Sequence, residues 1–267
     1  MGLSINTNIS ALQAGQQSKK TAGLLSKTLQ QLASAKRING ADDDAAGLAI
    51  AERFNSLALQ GQVESRNLQS GISYAQTADG GLQAQQDAVQ RIRELAVQAG
   101  NGTLNDDQRA ALNQEAQQLI EQVNSVAETT EFNGTAVIAT DQNVDLGTEG
   151  SAQINVNGST ATDLGIDTVD ISTAAGAANA LNALDSASNN ISQNRAGLGA
   201  QINRFSSAIN QSDIQTQNAL AAESAIRDAD IAKTVTELNK NRILLEASTA
   251  QVTQSNLVPQ SVLKLLG

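Results

Sequence analysis

The chain has 267 residues, a net charge of −10, no His, no Cys, no Trp and only 1% aromatics. It therefore lacks the commonest general base, the thiol nucleophile and the usual zinc ligands, and it has little of the ring bulk that fills an ordinary globular core. The acidic balance disfavours nucleic acid or an anionic membrane surface as partner, and copies of the chain repel one another unless apolar burial and salt screening offset the charge.

Ala, Leu, Ile and Val supply nearly all of the 40% hydrophobic content. Such residues suit thin helix-to-helix seams, so an elongated protein is expected. No disulfide framework is possible, which fits either a cytosolic protein or an exported one that must unfold in transit. No apolar run approaches a membrane span, and the start lacks the basic-then-apolar order of a cleavable signal peptide. Neither a membrane location nor that export route is expected.

Over residues 5–38, Ile5, Ile9, Leu12, Leu25, Leu29 and Leu32 fall at helical spacing among Gln, Ser and Lys, predicting an amphipathic helix with a weak middle. Residues 45–99 contain no proline and carry Leu68, Ile72, Ala75, Leu82, Val89, Ile92 and Ala96 at intervals of three, four or seven. A continuous helix there would be ~80 Å long. Asn101-Gly102 breaks it, and Asp106-Asp107 offer capping and dipole-matched charge to a shorter helix ending near Val126.

Between residues 132 and 173 the helical period gives way to Asn, Asp, Thr and Gly alternating with Val and Ile, so strands and turns are expected. Asn157-Gly158 follows the in-out alternation Ile154-Asn155-Val156 and reads as a tight hairpin turn, and Asn133-Gly134 marks the entry in the same way. The Asn-x-Ser/Thr triplets at Asn101, Asn133 and Asn157 are each Asn-Gly turns. From residue 174 helix returns, with Leu181, Leu184, Ile191, Leu198, Ile202, Phe205 and Ile209 on one heptad stripe and Ser188 and Arg195 in its gaps. A last helix from 231 to about 254 carries Ile231, Val235, Leu238, Leu245 and Val252. Pro259, the only proline, is expected to interrupt it before the apolar tail of residues 262–266.

The pattern predicts a mainly α fold: a long antiparallel helical coiled-coil bundle formed by the N- and C-terminal halves, with a small central β-hairpin region. Two domains are expected. Residues 1–44 with 227–267 would form a terminal coiled coil, and 45–226 a helical rod with a β-rich insert at about 132–173. No fixed-period repeat points to a solenoid.

Asp42-Asp43-Asp44 with Gly47 faintly suggests a calcium loop, but Arg53 stands where the bidentate Glu is needed and Ala46 at the fifth position, so the ligand chemistry fails. These aspartates instead end the Asn39-Gly40 turn and cap the helix beginning near Ala45. Asp106-Asp107 has no His, aromatic wall or evident pocket around it and reads as a solvated cap rather than an acid–base pair. No catalytic residue, metal site or cofactor is expected.

The segment Arg37-Ile38-Asn39-Gly40-Ala41-Asp42-Asp43-Asp44-Ala45-Ala46-Gly47-Leu48-Ala49-Ile50 closely resembles the most characteristic stretch of the bacterial flagellin N-terminal region. The likeness continues through Ser65-Arg66-Asn67, Gly71-Ile72-Ser73, Ala75-Gln76-Thr77 and Gln90-Arg91-Ile92-Arg93-Glu94-Leu95-Ala96-Val97-Gln98 to Phe132-Asn133-Gly134. At the other end Ala225-Ile226-Arg227-Asp228-Ala229-Asp230, Arg242-Ile243-Leu244 and Val258-Pro259-Gln260-Ser261-Val262-Leu263 resemble the C-terminal region of the family. Ala33-Ser34-Ala35-Lys36 departs from the Ser-Ser-Gly usual before the Arg-Ile-Asn motif, and Leu245-Glu246 stands where Gln-Gln is commoner.

The resemblance implies a short flagellin without large outer domains: a secreted subunit polymerising into the extracellular filament for swimming, its termini forming the inner core. On this reading the assembly seam comprises Ile5, Ile9, Leu12, Leu25, Leu29, Leu32, Ile231, Val235, Leu238, Leu245 and Val252. Implied partners are other copies of the chain, an export chaperone, hook-associated and cap proteins, and a Toll-like innate immune receptor reading a surface that includes Arg91, Leu95 and Glu115. The zinc-protease insert of some flagellins needs His and is excluded. Central Ser/Thr residues such as Thr160, Thr162, Thr168 and Ser172 are O-glycan carriers by the same resemblance.

Two further classes compete: a coiled-coil adaptor and a carboxylate hydrolase. The hydrolase lacks a site, and the adaptor gives no reason for two apolar-striped termini separated by a β-rich excursion, which a polymer subunit does. Within the flagellum, the hook-filament junction protein shares similar ends and is the nearest alternative.

Overall fold

The computed structural model describes residues 8–147 and 152–266, with side chains through Leu257. Helix α1 spans Ile9–Ser34. Asn8 caps it, its Oδ1 accepting from Ala11 N at 3.0 Å, and the helix ends because Ala35 turns left-handed at φ 56°. It therefore stops short of the expected residue 38, and Ile5 lies outside the described residues.

Helix α2, Ala41–Ala99, opens with a single turn before Asp44 departs to φ −165°, ψ 99°. Asp44 Oδ1 then accepts from Gly47 N at 2.9 Å, the N-cap bond of the helix proper that starts at Ala45. A side chain at Gly47 would crowd this cap, since a Cβ would meet the Asp44 carboxylate and lie 2.9 Å from Ile38 Cδ1. Arg109 closes the other end of α2, donating from Nε to Ala99 O and from Nη2 to Asn101 O, both at 3.0 Å. Helix α3, Asp106–Thr129, begins with a capping box between Asn105 and Gln108, Asp106 and Asp107 supplying charge to its first turn.

Strands β1 (Glu131–Phe132) and β2 (Thr135–Ala136) pair antiparallel across Asn133-Gly134, whose φ values of 52° and 77° suit a left-handed two-residue turn. Strands β3 (Gln142–Asp145) and β4 (Gln153–Val156) form a second antiparallel pair, with Val144 opposite Ile154. Asn157-Gly158 is not a hairpin turn, contrary to its sequence signature. It follows β4 without left-handed backbone, and Gly158 N donates to Asp141 Oδ1 at 2.8 Å. Helix α4 spans Ala174–Arg227 and α5 spans Ile231–Leu266.

The mainly helical architecture with a small hairpin region is as expected, but α5 does not stop near residue 254 and passes through Pro259. Proline lacks the N–H that would bond the carbonyl four residues earlier, here Ser255 O. That carbonyl has another donor: Asn8 Nδ2 lies 2.7 Å from it.

The chain divides into two compact units, Leu59–Thr216 and Met1–Ala58 with Gln217–Gly267. The division falls inside α2 and α4 rather than at residues 44 and 227. One reason is that the start of α2 and the end of α4 bond each other, Asn55 Nδ2 to Glu223 Oε2 at 3.1 Å and Arg227 Nη1 to Glu52 Oε1 at 3.0 Å.

In the Leu59–Thr216 unit, α2 and α4 run antiparallel, as Asp79–Arg195, Gln86–Ser188 and Arg93–Asp185 record. Leu184, Ile191, Leu198 and Phe205 are buried one heptad apart, and Leu181, Ile202 and Ile209 flank them half-buried. Leu68, Leu82, Val89 and Ile92 of α2, Ile120 and Val123 of α3, and Ile138, Ile154, Ile166 and Ile171 complete the core. The residues after α3 are fastened to the helices by Gln85, whose Nε2 donates to Val123 O (3.0 Å) and Ser159 O (2.8 Å) while its Oε1 accepts from Ser159 Oγ (2.6 Å). Tyr74 meets Phe132 edge-on, the ring centroids 5.5 Å apart.

Candidate assembly interface

In the other unit α1 and α5 lie antiparallel, Asn241 Nδ2 donating to Thr28 Oγ1 at 3.1 Å and Asn8 to Ser255. The line they bury is small and hydroxylic: Ala14, Thr21 and Thr28 on α1, and Thr234, Ser248 and Ser255 on α5. With half-buried Asn241, these residues recur every seven positions on each helix. Thr21 and Thr28 tolerate burial because their hydroxyls donate to the carbonyls of Gln17 (2.9 Å) and Leu24 (2.7 Å) in their own helix.

The apolar residues lie outside that line. Ile9 and Leu12 are 60% and 61% exposed, Leu29, Ile231 and Val235 are exposed as well, and Leu25, Leu32, Leu238, Leu245 and Val252 are half-buried at the margins. Sequence reasoning passed over Leu24, Ile243, Leu244 and Leu257, which are also exposed; Ile243, at 65%, exceeds all the others. It missed the buried hydroxyl line too, although the seven-residue recurrence of Thr and Ser was there to read. A pair that buries threonine and presents leucine and isoleucine to solvent has its hydrophobic driving force facing outward.

The joints between the helices are tied to each other. Arg37 N donates to Arg227 O (2.6 Å) and Ala229 N to Ala35 O (2.9 Å), forming an antiparallel bridge centred on Lys36 and Asp228. Arg37 Nη2 reaches Ile226 O at 2.6 Å and Arg227 Nε reaches Ile38 O at 3.2 Å. The three aspartates separate in role: Asp44 caps, Asp42 is exposed, and Asp43 Oδ2 accepts from Asn39 N at 2.9 Å while its Oδ1 lies 2.6 Å from Lys27 Nζ. The Lys27 ammonium, and then the Asn39 N–H, hold the Asp43 carboxyl below its usual range, and Asp43 raises Lys27 in return.

Of the residues expected on a receptor-binding surface, Arg91 and Glu115 are exposed and joined, Nη2 to Oε1 at 2.9 Å, with Glu94 Oε2 on Arg91 Nη1 at 2.9 Å. Leu95 is 1% exposed and belongs to the core. Its place in that expected surface is corrected: it faces inward, four residues from the outward Arg91, because α2 is covered there by α3 and α4. No helix among the described residues is long and apolar enough to cross a membrane.

Comparison with known proteins gives two family matches. The family described as bacterial flagellin N-terminal helical region matches residues 5–143, and the bacterial flagellin C-terminal helical region matches residues 181–266. The chain is 38% identical to a flagellin of Halalkalibacterium halodurans over 98% of this chain and 99% of that one. It is 35% identical to a flagellar filament 31.3 kDa core protein of Treponema maltophilum, again over 98% and 99%. The crystal structure of a Bacillus cereus flagellin is similar over 55% of this chain and 88% of that chain, at 28% identity and a TM-score of 0.49.

Proposed function

Since the chain belongs to the bacterial flagellin family and is a structural subunit of the flagellar filament, we propose that its α1–α5 pair is the part that copies of the chain bury against one another. One observation carries this reading: the pair encloses Thr21, Thr28 and Ser248 and leaves Ile9, Leu12, Leu29, Ile231 and Ile243 to solvent. Burying a Leu or Ile side chain is worth roughly 1.5–3 kcal/mol. A stripe of them on each helix is therefore a strong self-association surface, able to offset the repulsion between chains of net charge −10. The same distribution supports a pair that is formed but only weakly stable in the soluble chain and is reinforced by assembly, because a pair with a hydroxyl interior gains little stability alone.

The test is negative-stain microscopy of purified protein at rising concentration. Long filaments support the reading, and monomers or short oligomers at every concentration refute it. Secretion to an extracellular filament, and cover for the apolar stripes by an export chaperone before hook-associated and cap proteins receive the subunit, are parts of this proposal. A receptor surface centred on Arg91, Glu94 and Glu115 is a further part, supported by their exposure and mutual pairing. Arg91→Ala should weaken activation of cells bearing the Toll-like receptor by monomer, while wild-type monomer that fails to activate them removes this part of the proposal.

A further inference from the structure

A buried line of Ala, Thr and Ser recurring every seven residues has a weakness that follows from its regularity. In the observed register, in which Asn241 lies level with Thr28, steps of seven bring Thr21 level with Ser248 and Ala14 level with Ser255. Sliding α5 by one heptad sets Thr21 against Ser255 and Thr28 against Ser248, or Thr21 against Asn241 and Thr28 against Thr234, so small polar residues again meet small polar residues. Apolar packing discriminates poorly between these alignments, since no large knob enters a matching hole. Polar groups with a single good partner are what fix register in such pairs.

Asn8 has one such partner. Its Oδ1 is engaged by Ala11 N, capping α1, and its Nδ2 donates to Ser255 O at 2.7 Å. Within α5 each interior carbonyl receives the N–H four residues on, and Pro259, the only proline of the chain, withholds that donor from Ser255 alone. One heptad away in either direction, the carbonyls of residues 248 and 262 already have ladder donors. Only the observed register therefore gives the Asn8 amide an unfilled acceptor and spares Ser255 O an unmet bond.

We propose that Asn8 and Pro259 together set the axial register of the terminal helix pair, the proline marking one carbonyl of α5 and the asparagine reading it. Asn8 is thus a positioning residue for polymerisation: two copies whose pairs are out of register present their exposed stripes, Ile9 and Leu12 against Ile243 and Leu257, in different alignments. The inference rests on the filament reading above.

The experiment compares wild type, Asn8→Ser, Pro259→Ala and the double variant. Serine caps α1 about as well as asparagine but has no amide to offer Ser255. Alanine at 259 restores the ladder donor and erases the mark. The critical concentration for filament growth should rise about tenfold for Asn8→Ser, the effect of losing one buried bond and leaving its acceptor unmet. In the Pro259→Ala background the same change should raise it less than about twofold, the acceptor there being already filled. Equal effects in the two backgrounds, or none in the wild type, would overturn the proposal. If Asn8→Ser abolishes growth altogether, adding Pro259→Ala must restore it, and failure to restore it counts equally against the proposal.

Register is also read directly. The chain has no cysteine of its own, so Thr21→Cys with Ser255→Cys reports a one-heptad slip as an intrachain disulfide. Asn8→Ser should increase that product, and an unchanged yield would overturn the assignment. This trap can be scored on soluble chain as well as on filaments, so a wild type that makes no filaments refutes the filament reading without deciding the register.

Discussion

Lys27 and Asp43 hold α1 to the start of α2 through a 2.6 Å contact between ammonium and carboxylate. The pair has a pH signature. Asp43 is depressed below its ordinary value, so its contribution is present above the normal carboxylate range and is lost as pH falls through the depressed value. Lys27 is raised, so its contribution is present below the normal lysine range and is lost as pH rises through the raised value. The window therefore runs from about pH 4 to about pH 10. Asp43→Asn should lower the melting temperature at pH 7, and the difference from wild type should close as the solution is acidified below pH 4. Circular dichroism melts across that range check this, and a difference that persists unchanged at the acid end would refute it.

Ala35 sits at φ 56°, a conformation that costs a non-glycine residue about 1–2 kcal/mol. This is the position at which the chain departs from the Ser-Ser-Gly usual in its family. Ala35→Gly should therefore stabilise the unit containing α1 by about 1 kcal/mol, the relief of strain exceeding the added entropy of the unfolded chain. Ala35→Val should destabilise it. Denaturant unfolding followed by circular dichroism separates these outcomes, and a less stable glycine variant would show that the left-handed cap carries no strain.

Gln85 is fully buried and makes three hydrogen bonds, to Val123 O and to the carbonyl and hydroxyl of Ser159. Gln85→Ala leaves those buried groups without their partner and opens a cavity, at a cost of about 3 kcal/mol. The loss should be local at first, so limited proteolysis should cut within residues 140–170 faster than in wild type. Unchanged cleavage there would mean that the β-rich segment is held by its apolar residues Ile138, Ile154 and Ile166 alone.

Ile243 and Leu198 form a contrasting pair, one 65% exposed on α5 and the other buried on α4. Ile243→Asp should leave the stability of the soluble chain within about 0.5 kcal/mol of wild type and abolish filament growth. Leu245→Asp, at the half-buried margin, should also abolish growth. Leu198→Ala should cost about 2–5 kcal/mol in the soluble chain. Calorimetry of the soluble chain and pelleting of polymer measure the two quantities separately. Normal filaments from Ile243→Asp would show that this stripe is not buried in the polymer.

Much of the local chemistry was legible in the sequence, although Asn157-Gly158 carries a turn signature and makes no hairpin, Gly158 N being held by Asp141. The spacing of Leu184, Ile191, Leu198 and Phe205 announced a buried heptad stripe, Asp44 announced an N-cap, and Asn133-Gly134 a hairpin turn, because each depends on residues within a few positions. So was family membership, carried by motifs in order at both ends. Three features were decided only by tertiary structure. Thr21, Thr28 and Ser248 became the interior of the α1–α5 pair, while the apolar stripe expected to be its seam was left at the margins or outside; a helical period says that a face is distinct, not what covers it. Leu95 turned inward from Arg91 because α3 and α4 cover that side of α2. Finally, Pro259 did not end α5, since a proline costs one hydrogen bond and the replacement donor, Asn8, stands 251 positions earlier in the chain, brought to Ser255 only by the antiparallel pairing of the two ends.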